Sequence, residues 1–378
     1  MKKIIVIPDS FKGTLSSRQA GQIIQQEACA AFPAAQVQAL TVADGGEGCV
    51  DAFLSALPGT KHTATVQGPF GQPVESFYGM VGKTAIIEMA AAAGLPLALP
   101  TPDPCRASTY GAGQLMARAL AQGAEKIILG LGGSATNDGG TGAAAALGAQ
   151  FLDADGHSFL PTGGTLQNIA RIDLSCMEPR LAGVPVQVMC DIDNPLYGPQ
   201  GAAAVFAPQK GATPAQVQQL DAGLRHLSEI IQTDLGKDIA LLPGAGAAGG
   251  MGGGAAAFWN ARLLPGIEIM LDTIGFDSML EGCSLVVTGE GRIDGQSVRG
   301  KVIAGIARRA KAKGVPVVAL VGDIGLGAEE MYPLGVSAIF SINRVAVPYA
   351  QAKLRAEEDL RQTARTVFSF ARLAKTLE

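Results

Sequence analysis

The sequence predicts an α/β protein in which both ends of the chain build one doubly wound parallel sheet and a second α/β domain is inserted between them. Three observations carry that reading. Five buried-looking apolar runs, at residues 3–7, 37–42, 285–287, 315–321 and 336–342, alternate with helical patterns at the two ends of the chain. The pattern changes near residue 60 to paired strands and returns near residue 284. A length of 378 residues exceeds one domain of ~150 residues. The expected division is residues 1–61 with 282–378 as the sheet domain and 62–281 as the insertion.

The elements follow in order. After the first strand and Pro8, Ser16 and Gln19 form a capping-box pattern, and Ala20, Ile23, Ile24 and Ala28 recur at helical spacing. A second strand at 37–42 leads to a helix at 49–57. Residues 63–66 and 74–81 flank Gly68-Pro69-Phe70-Gly71 and read as a hairpin. A helix at 109–122, a strand at 126–131, a Gly-rich loop and an Ala-rich helix at 141–147 come next. Residues 184–189 read as a strand and 214–233 as a helix, and 243–257 is the loosest stretch. A strand at 285–287, a helix at 302–313 closed by Gly314, strands at 315–321 and 336–342 and an amphipathic helix at 350–375 complete the chain.

Composition excludes several classes. The chain is 48% hydrophobic and 16% charged, the range of a globular protein. A net charge of −4 without a run of basic residues gives no footprint for nucleic acid or an anionic membrane. The six cysteines contain no C-x-x-C pair and the three histidines (62, 157, 226) lie far apart, which argues for reduced thiols and against zinc or a disulfide frame. Without a signal peptide or a membrane-length apolar run the expected compartment is the cytoplasm. The sequence leaves the oligomeric state open, a homo-oligomer included.

Several strands end in loops dense in glycine and carboxylates: 8–13, 43–48, 130–142, 191–195 and 289–294. Open α/β sheets bind ligands beyond the carboxyl ends of their strands, and such loops offer backbone amides to a polyanion and carboxylates to a divalent cation. In Gly130-Leu131-Gly132-Gly133-Ser134-Ala135-Thr136-Asn137-Asp138, residues 132–137 are the expected phosphate cradle. Asp138 either reaches a metal or caps the following helix. Residues 244–249 contain a formal G-x-G-x-x-G, which would point to a nicotinamide-dependent oxidoreductase of a small hydroxy acid. Pro243 before it and more glycines after it argue instead for a flexible phosphate or substrate loop, with Gly246, Gly249 and Gly250 as contacts, or a hinge. Residues 295–302 nearly match a Walker A loop, but Val302 stands where a hydroxyl should hold magnesium. Lys301 is therefore either a phosphate contact or a plain helix-start lysine.

Pro8-Asp9-Ser10-Phe11-Lys12-Gly13-Thr14-Leu15-Ser16, residues 43–48, 130–140, 190–196, 206–211, 246–252 and 288–294 together resemble the successive signatures of the bacterial glycerate kinases, in that family's order over nearly the whole chain. The resemblance implies ATP-dependent phosphorylation of D-glycerate, usually at the 2-hydroxyl. It also implies a flavodoxin-like domain interrupted by a second α/β domain. Within that frame, physical reasoning distributes the roles. Asp191, directly after a strand, is the expected base, with Asp44 as runner-up. Mg2+ would take its ligands from Asp44, Glu47, Glu290 and Asp294. Lys12 and Arg292 would hold the glycerate carboxylate or the γ-phosphate. Asp9, Ser10 and Asn194 would contact substrate.

Overall fold

The structure, a computed structural model, describes residues 1–11, 13–43, 45–295 and 302–374. The chain opens with strand β1 (Lys3–Val6), helix α1 (Ser17–Ala31) and strand β2 (Gln36–Ala39). The capping box is present: the Gln19 amide donates to the Ser16 hydroxyl (3.2 Å) and the Ser16 amide to the Gln19 side chain (3.0 Å). Next come α2 (Cys49–Ala56), the antiparallel pair β3 (Thr60–Gln67) and β4 (Pro73–Val81), and β5 (Thr84–Glu88). Short helices α3 (Ala90–Ala93) and α4 (Leu95–Ala98) lead to α5 (Tyr110–Ala121), β6 (Lys126–Gly130) and α6 (Thr141–Ala146). A small antiparallel sheet of β7 (Gln150–Leu152), β8 (Ser158–Phe159) and β9 (Arg171–Asp173) precedes β10 (Val186–Met189). Helices α7 (Ala202–Phe206), α8 (Pro214–Leu235) and α9 (Ala247–Trp259) then lead to β11 (Arg262–Leu264). The remainder is α10 (Gly266–Ile274), α11 (Phe276–Met279), β12 (Leu285–Ile293), α12 (Val302–Ala312), β13 (Val317–Ile324), β14 (Val336–Ser341) and α13 (Tyr349–Ala374).

Two compact units result, residues 1–43 with 267–378 and residues 44–266. In the first, five parallel strands lie in the order β14-β13-β12-β1-β2. Numbered within the unit this is 2-1-3-4-5, the flavodoxin-like doubly wound order. Both faces of the sheet are covered, which is why its strands are continuous apolar runs and not alternating ones. Leu320 of β13 joins the cluster under α1 and α13, while its neighbours Ala319 and Val321 join that under α12. Strand β12 runs past its expected end, because its pairing with β13 continues as far as Ile293 and Ile324.

The second unit holds a six-stranded sheet in the order β11-β10-β6-β5-β4-β3, parallel except for the β3–β4–β5 hairpins. Helix α2, read from the sequence as part of the sheet formed by the chain ends, belongs here. It packs on β4, where Gly79 leaves room for Val50 (3.1 Å from the position a Cβ would occupy). The stretch 243–257, read as the loosest, is largely the buried helix α9, interrupted by left-handed residues 248–250. Its small residues permit close approach to the neighbouring chain: a Cβ on Gly254 would stand 2.1 Å from the Gly139 carbonyl oxygen.

In the first unit, α13 seals the sheet through Phe368, fully buried and edge-on to Phe32 at 6.3 Å. Phe368→Ala should cost about 3–5 kcal/mol in denaturant unfolding, and a loss below about 1 kcal/mol would contradict this packing.

Candidate active site

In the second unit Glu88, Gly130, Met189 and Leu264 are cross-strand partners, so the carboxyl ends of β5, β6, β10 and β11 lie level along one edge. A cavity of about 560 Å³ opens there. It is walled by residues 45–47, 131–134, 189–192 and 247–248 and by Phe206, Gln209 and Lys210, with Leu95, Pro96 and Leu99 of the α4 segment. Four of the five glycine-rich or signature stretches that fall within this unit therefore meet the loop before α2 around one space.

That loop crosses the strand ends in close contact. The Gly132 amide donates to the Gly45 carbonyl (3.0 Å). Gly45 has φ +89°, and a Cβ there would stand 2.5 Å from the Cβ of Met189, so only glycine fits. The far end of the loop is held by Glu88, a carboxylate only 4% exposed at the end of β5. It accepts from the Gly48 amide (3.1 Å) and the Val50 amide (2.7 Å), acting as the cap that Gly48 cannot supply to α2. Burial pushes the Glu88 carboxyl above its ordinary range, against these two amides. The clamp leaves Glu47 exposed on the cavity wall.

The loop after β6 behaves differently from its sequence reading. Asp138 is fully buried and its oxygens are turned to backbone and to Thr109: it accepts from the Thr109 amide and hydroxyl (both 2.8 Å) and from the Gly140 and Gly142 amides (3.1 and 3.3 Å). With the Ala143 amide donating to Thr109 Oγ1 (2.8 Å), the first turn of α6 is already capped and offers no free phosphate cradle. Thr136 and Asn137 are likewise fully buried, and Ala135 nearly so. What faces the cavity is residues 131–134. The glycines of the G-x-G-x-x-G stretch also turn inward. A Cβ on Gly249 (φ +69°) would stand 2.0 Å from the Thr136 carbonyl oxygen, one on Gly246 2.4 Å from that of Pro195, and one on Gly250 2.9 Å from Gly139 Cα. Ala247 and Ala248, not these glycines, line the cavity.

Asp191 is exposed on the cavity wall, with Oδ1 accepting from the Gly266 amide (2.9 Å). The neighbouring Cys190 thiol donates to the Ile192 carbonyl (3.4 Å), and burial pushes its pKa up. Asn194 is turned to its own loop, donating to the Gln200 carbonyl (2.8 Å), and is not on the wall.

Sequence reasoning missed Lys210. It lies on the cavity floor, 2% exposed, with Nζ donating to Ser134 Oγ (2.8 Å) and to the Thr136 carbonyl (2.7 Å). Its only signal was membership of the 206–211 signature, since its partners are 76 and 74 positions away in sequence. Glu88 was missed as well, at the end of a strand not identified from the pattern.

Of the remaining expected residues, Asp9, Ser10, Glu290, Arg292 and Asp294 belong to the first unit. Asp9 and Ser10 follow β1, with the Asp9 amide on the Gly289 carbonyl (2.7 Å) and the Ser10 amide on Asp9 Oδ1 (2.6 Å). Glu290 and Arg292 lie within β12, and Glu290 is buried. Arg292 pairs with Asp294 (3.4 Å) and Asp323 (3.8 Å). Lys12, Asp44 and Lys301 lie outside the described residues.

Burial pulls the Lys210 ammonium from its ordinary 10.5 to about 7, and the Asp138 charge opposes the shift only partly. Between those values the unfolded chain holds a proton that native Lys210 lacks, so this residue makes stability rise with pH across that window. Lys210→Met should flatten the rise in a denaturation series at several pH values; an unchanged slope would remove Lys210 as its source.

The glycerate kinase family profile matches residues 4–372. Curated relatives include the glycerate kinase of Bacillus subtilis (strain 168), 44% identical over 378 residues and 99% of each chain. The glycerate 2-kinase of Escherichia coli (strain K12) is 44% identical over 344 residues, 90% of each chain. A crystal structure from Salmonella typhimurium LT2, provisionally named glycerate kinase 2, superposes with a TM-score of 0.88 at 41% identity over 99% of each chain. These matches give the nicotinamide alternative no support. Among the described residues no helix is long and apolar enough to cross a membrane. The chain belongs to the glycerate kinase family.

Proposed function

We propose that the chain transfers the γ-phosphoryl group of ATP to the 2-hydroxyl of D-glycerate, using the cavity at the strand ends of its second unit. One observation supports this most: a chain that belongs to the family along almost its whole length brings five of its seven signature stretches, those of the second unit, around one cavity. Phosphoryl transfer asks the protein mainly for positioning and for stabilisation of charge on oxygen, and little covalent chemistry. Asp191 is the proposed base. It stands on the wall with Oδ1 held by the Gly266 amide, which fixes its orientation before a hydroxyl proton arrives. Ser134 Oγ accepts from Lys210, so its own proton is left to donate to a phosphate oxygen. Leu95, Pro96, Leu99 and Phe206 provide an apolar wall suited to a nucleobase and to exclusion of water.

Magnesium asks for oxygen ligands, one or two of them carboxylates, with the rest from phosphate and water. The wall meets that requirement: Glu47 and Asp191 are exposed carboxylates beside glycine backbone. Glu47 is the proposed ligand, and the ion would neutralise phosphate charge when bound. The six cysteines are free thiols, which supports the proposed cytoplasmic setting.

Phosphorus NMR of the product from D-glycerate and ATP tests the function. A 2-phosphoglycerate signal is expected; 3-phosphoglycerate would overturn the regiochemistry, and unchanged ATP would overturn the activity. Asp191→Asn should lower turnover about a hundredfold or more with nucleotide affinity unchanged, and near-normal turnover would remove it as the base.

A further inference from the structure

We infer that Lys210 is the oxyanion anchor of the cavity: its Nζ takes an anionic oxygen of an incoming ligand and gains a proton as it does so. The inference rests on the kinase reading above. Its basis is a count of hydrogen bonds. A neutral lysine amine has two N–H donors and a lone pair, whereas the ammonium has three donors and a charge. Two acceptors are in place, Ser134 Oγ at 2.8 Å and the Thr136 carbonyl at 2.7 Å, and they match the two donors of the neutral form. A third donor can be taken up by a ligand oxygen that enters the cavity Lys210 lines.

The charge is unmet by the protein. Lys210 is 2% exposed, and among the described residues no carboxylate lies within ion-pair distance of Nζ. The acidic group that acts on it from its neighbouring loop is Asp138, whose oxygens are already occupied by Thr109, Gly140 and Gly142. Glu47, Asp191 and the Cys190 thiol stand on the other cavity walls. Asp103 and Cys105 follow Pro102, which packs against Gly211 next to the lysine. Burial without a paired charge favours the neutral amine, and the pKa of about 7 agrees. A phosphate or carboxylate oxygen at the third position reverses that balance, since a charge-assisted hydrogen bond in a water-poor site favours the ammonium. Above neutral pH the protein then carries this cation chiefly when its anion is bound, and largely avoids a bare buried charge otherwise.

The shared chemistry is an oxyanion, supplied either by a phosphate of ATP or by the carboxylate of glycerate. Isothermal titration calorimetry of the full chain at about pH 8.5, in two buffers of different ionisation enthalpy, reads proton uptake directly. One arm titrates magnesium ATP without glycerate, the other D-glycerate without ATP. We expect uptake approaching one proton in one arm, which identifies the source. Lys210→Met should abolish that uptake and weaken the same ligand roughly tenfold to a hundredfold, leaving the other arm unchanged. Binding of both ligands without uptake, or uptake that persists in Lys210→Met, overturns the inference and leaves the kinase reading standing. Failure of either ligand to bind the wild-type chain overturns both. Should the variant not fold, the wild-type comparison between buffers decides alone.

Discussion

The second unit depends on how closely one loop is seated on the ends of its parallel strands. Gly45 touches Met189, Gly132 donates to the Gly45 carbonyl, and Glu88 grips the Gly48 and Val50 amides. Each contact acts on backbone, so the seat tolerates little change in side chains. A Cβ at Gly45, or loss of the Glu88 carboxylate, would lift the loop from β6 and β10 and unmake the wall that presents Glu47. A buried carboxylate is costly unless its oxygens are hydrogen-bonded, and here the partners are amides that α2 leaves unsatisfied at its start. The two deficits cancel each other, and the result is a fixed edge to the cavity.

The same economy of polar groups orders the loop after β6. Asp138 occupies the amides that a phosphate would otherwise use at the start of α6, and Gly249 lets α9 close over Thr136. The backbone at 136–139 is thereby immobilised from two sides, and the Thr136 carbonyl becomes a fixed acceptor for Lys210. The polar groups thus separate into those that hold loops and those that remain for ligand: Lys210, Ser134, Glu47 and Asp191 on the cavity. That separation follows from burial, which the linear pattern does not encode.

Local signals were legible in the sequence. The Ser16–Gln19 capping box, the 68–71 hairpin turn and the five-stranded sheet of the chain ends are written in spacing of a few residues, and the structure has them. The place of Asp191 at a strand end on the cavity wall was legible because it follows an apolar run. Lys210 and Glu88 were not, since each acts on residues 38 to 76 positions away, and nothing near them in sequence announces a partner. Residues 243–257 were misjudged because glycine has low helix propensity in isolation, whereas here absent side chains permit close packing on 136–140. Asp138 offered two readings, and the outcome turned on Thr109, 29 positions away. The strand reading stopped β12 at Val287, where the apolar run ends, although pairing with β13 carries it through Glu290 and Arg292.

A crystal structure of the chain with D-glycerate and a non-hydrolysable ATP analogue tests the central claim most directly, that this seated loop and the strand ends beneath it form the ligand site. The account predicts ligand oxyanion density in the cavity bounded by residues 45–47, 132–134 and 189–192. Both ligands bound elsewhere, with that cavity holding only solvent, would contradict it.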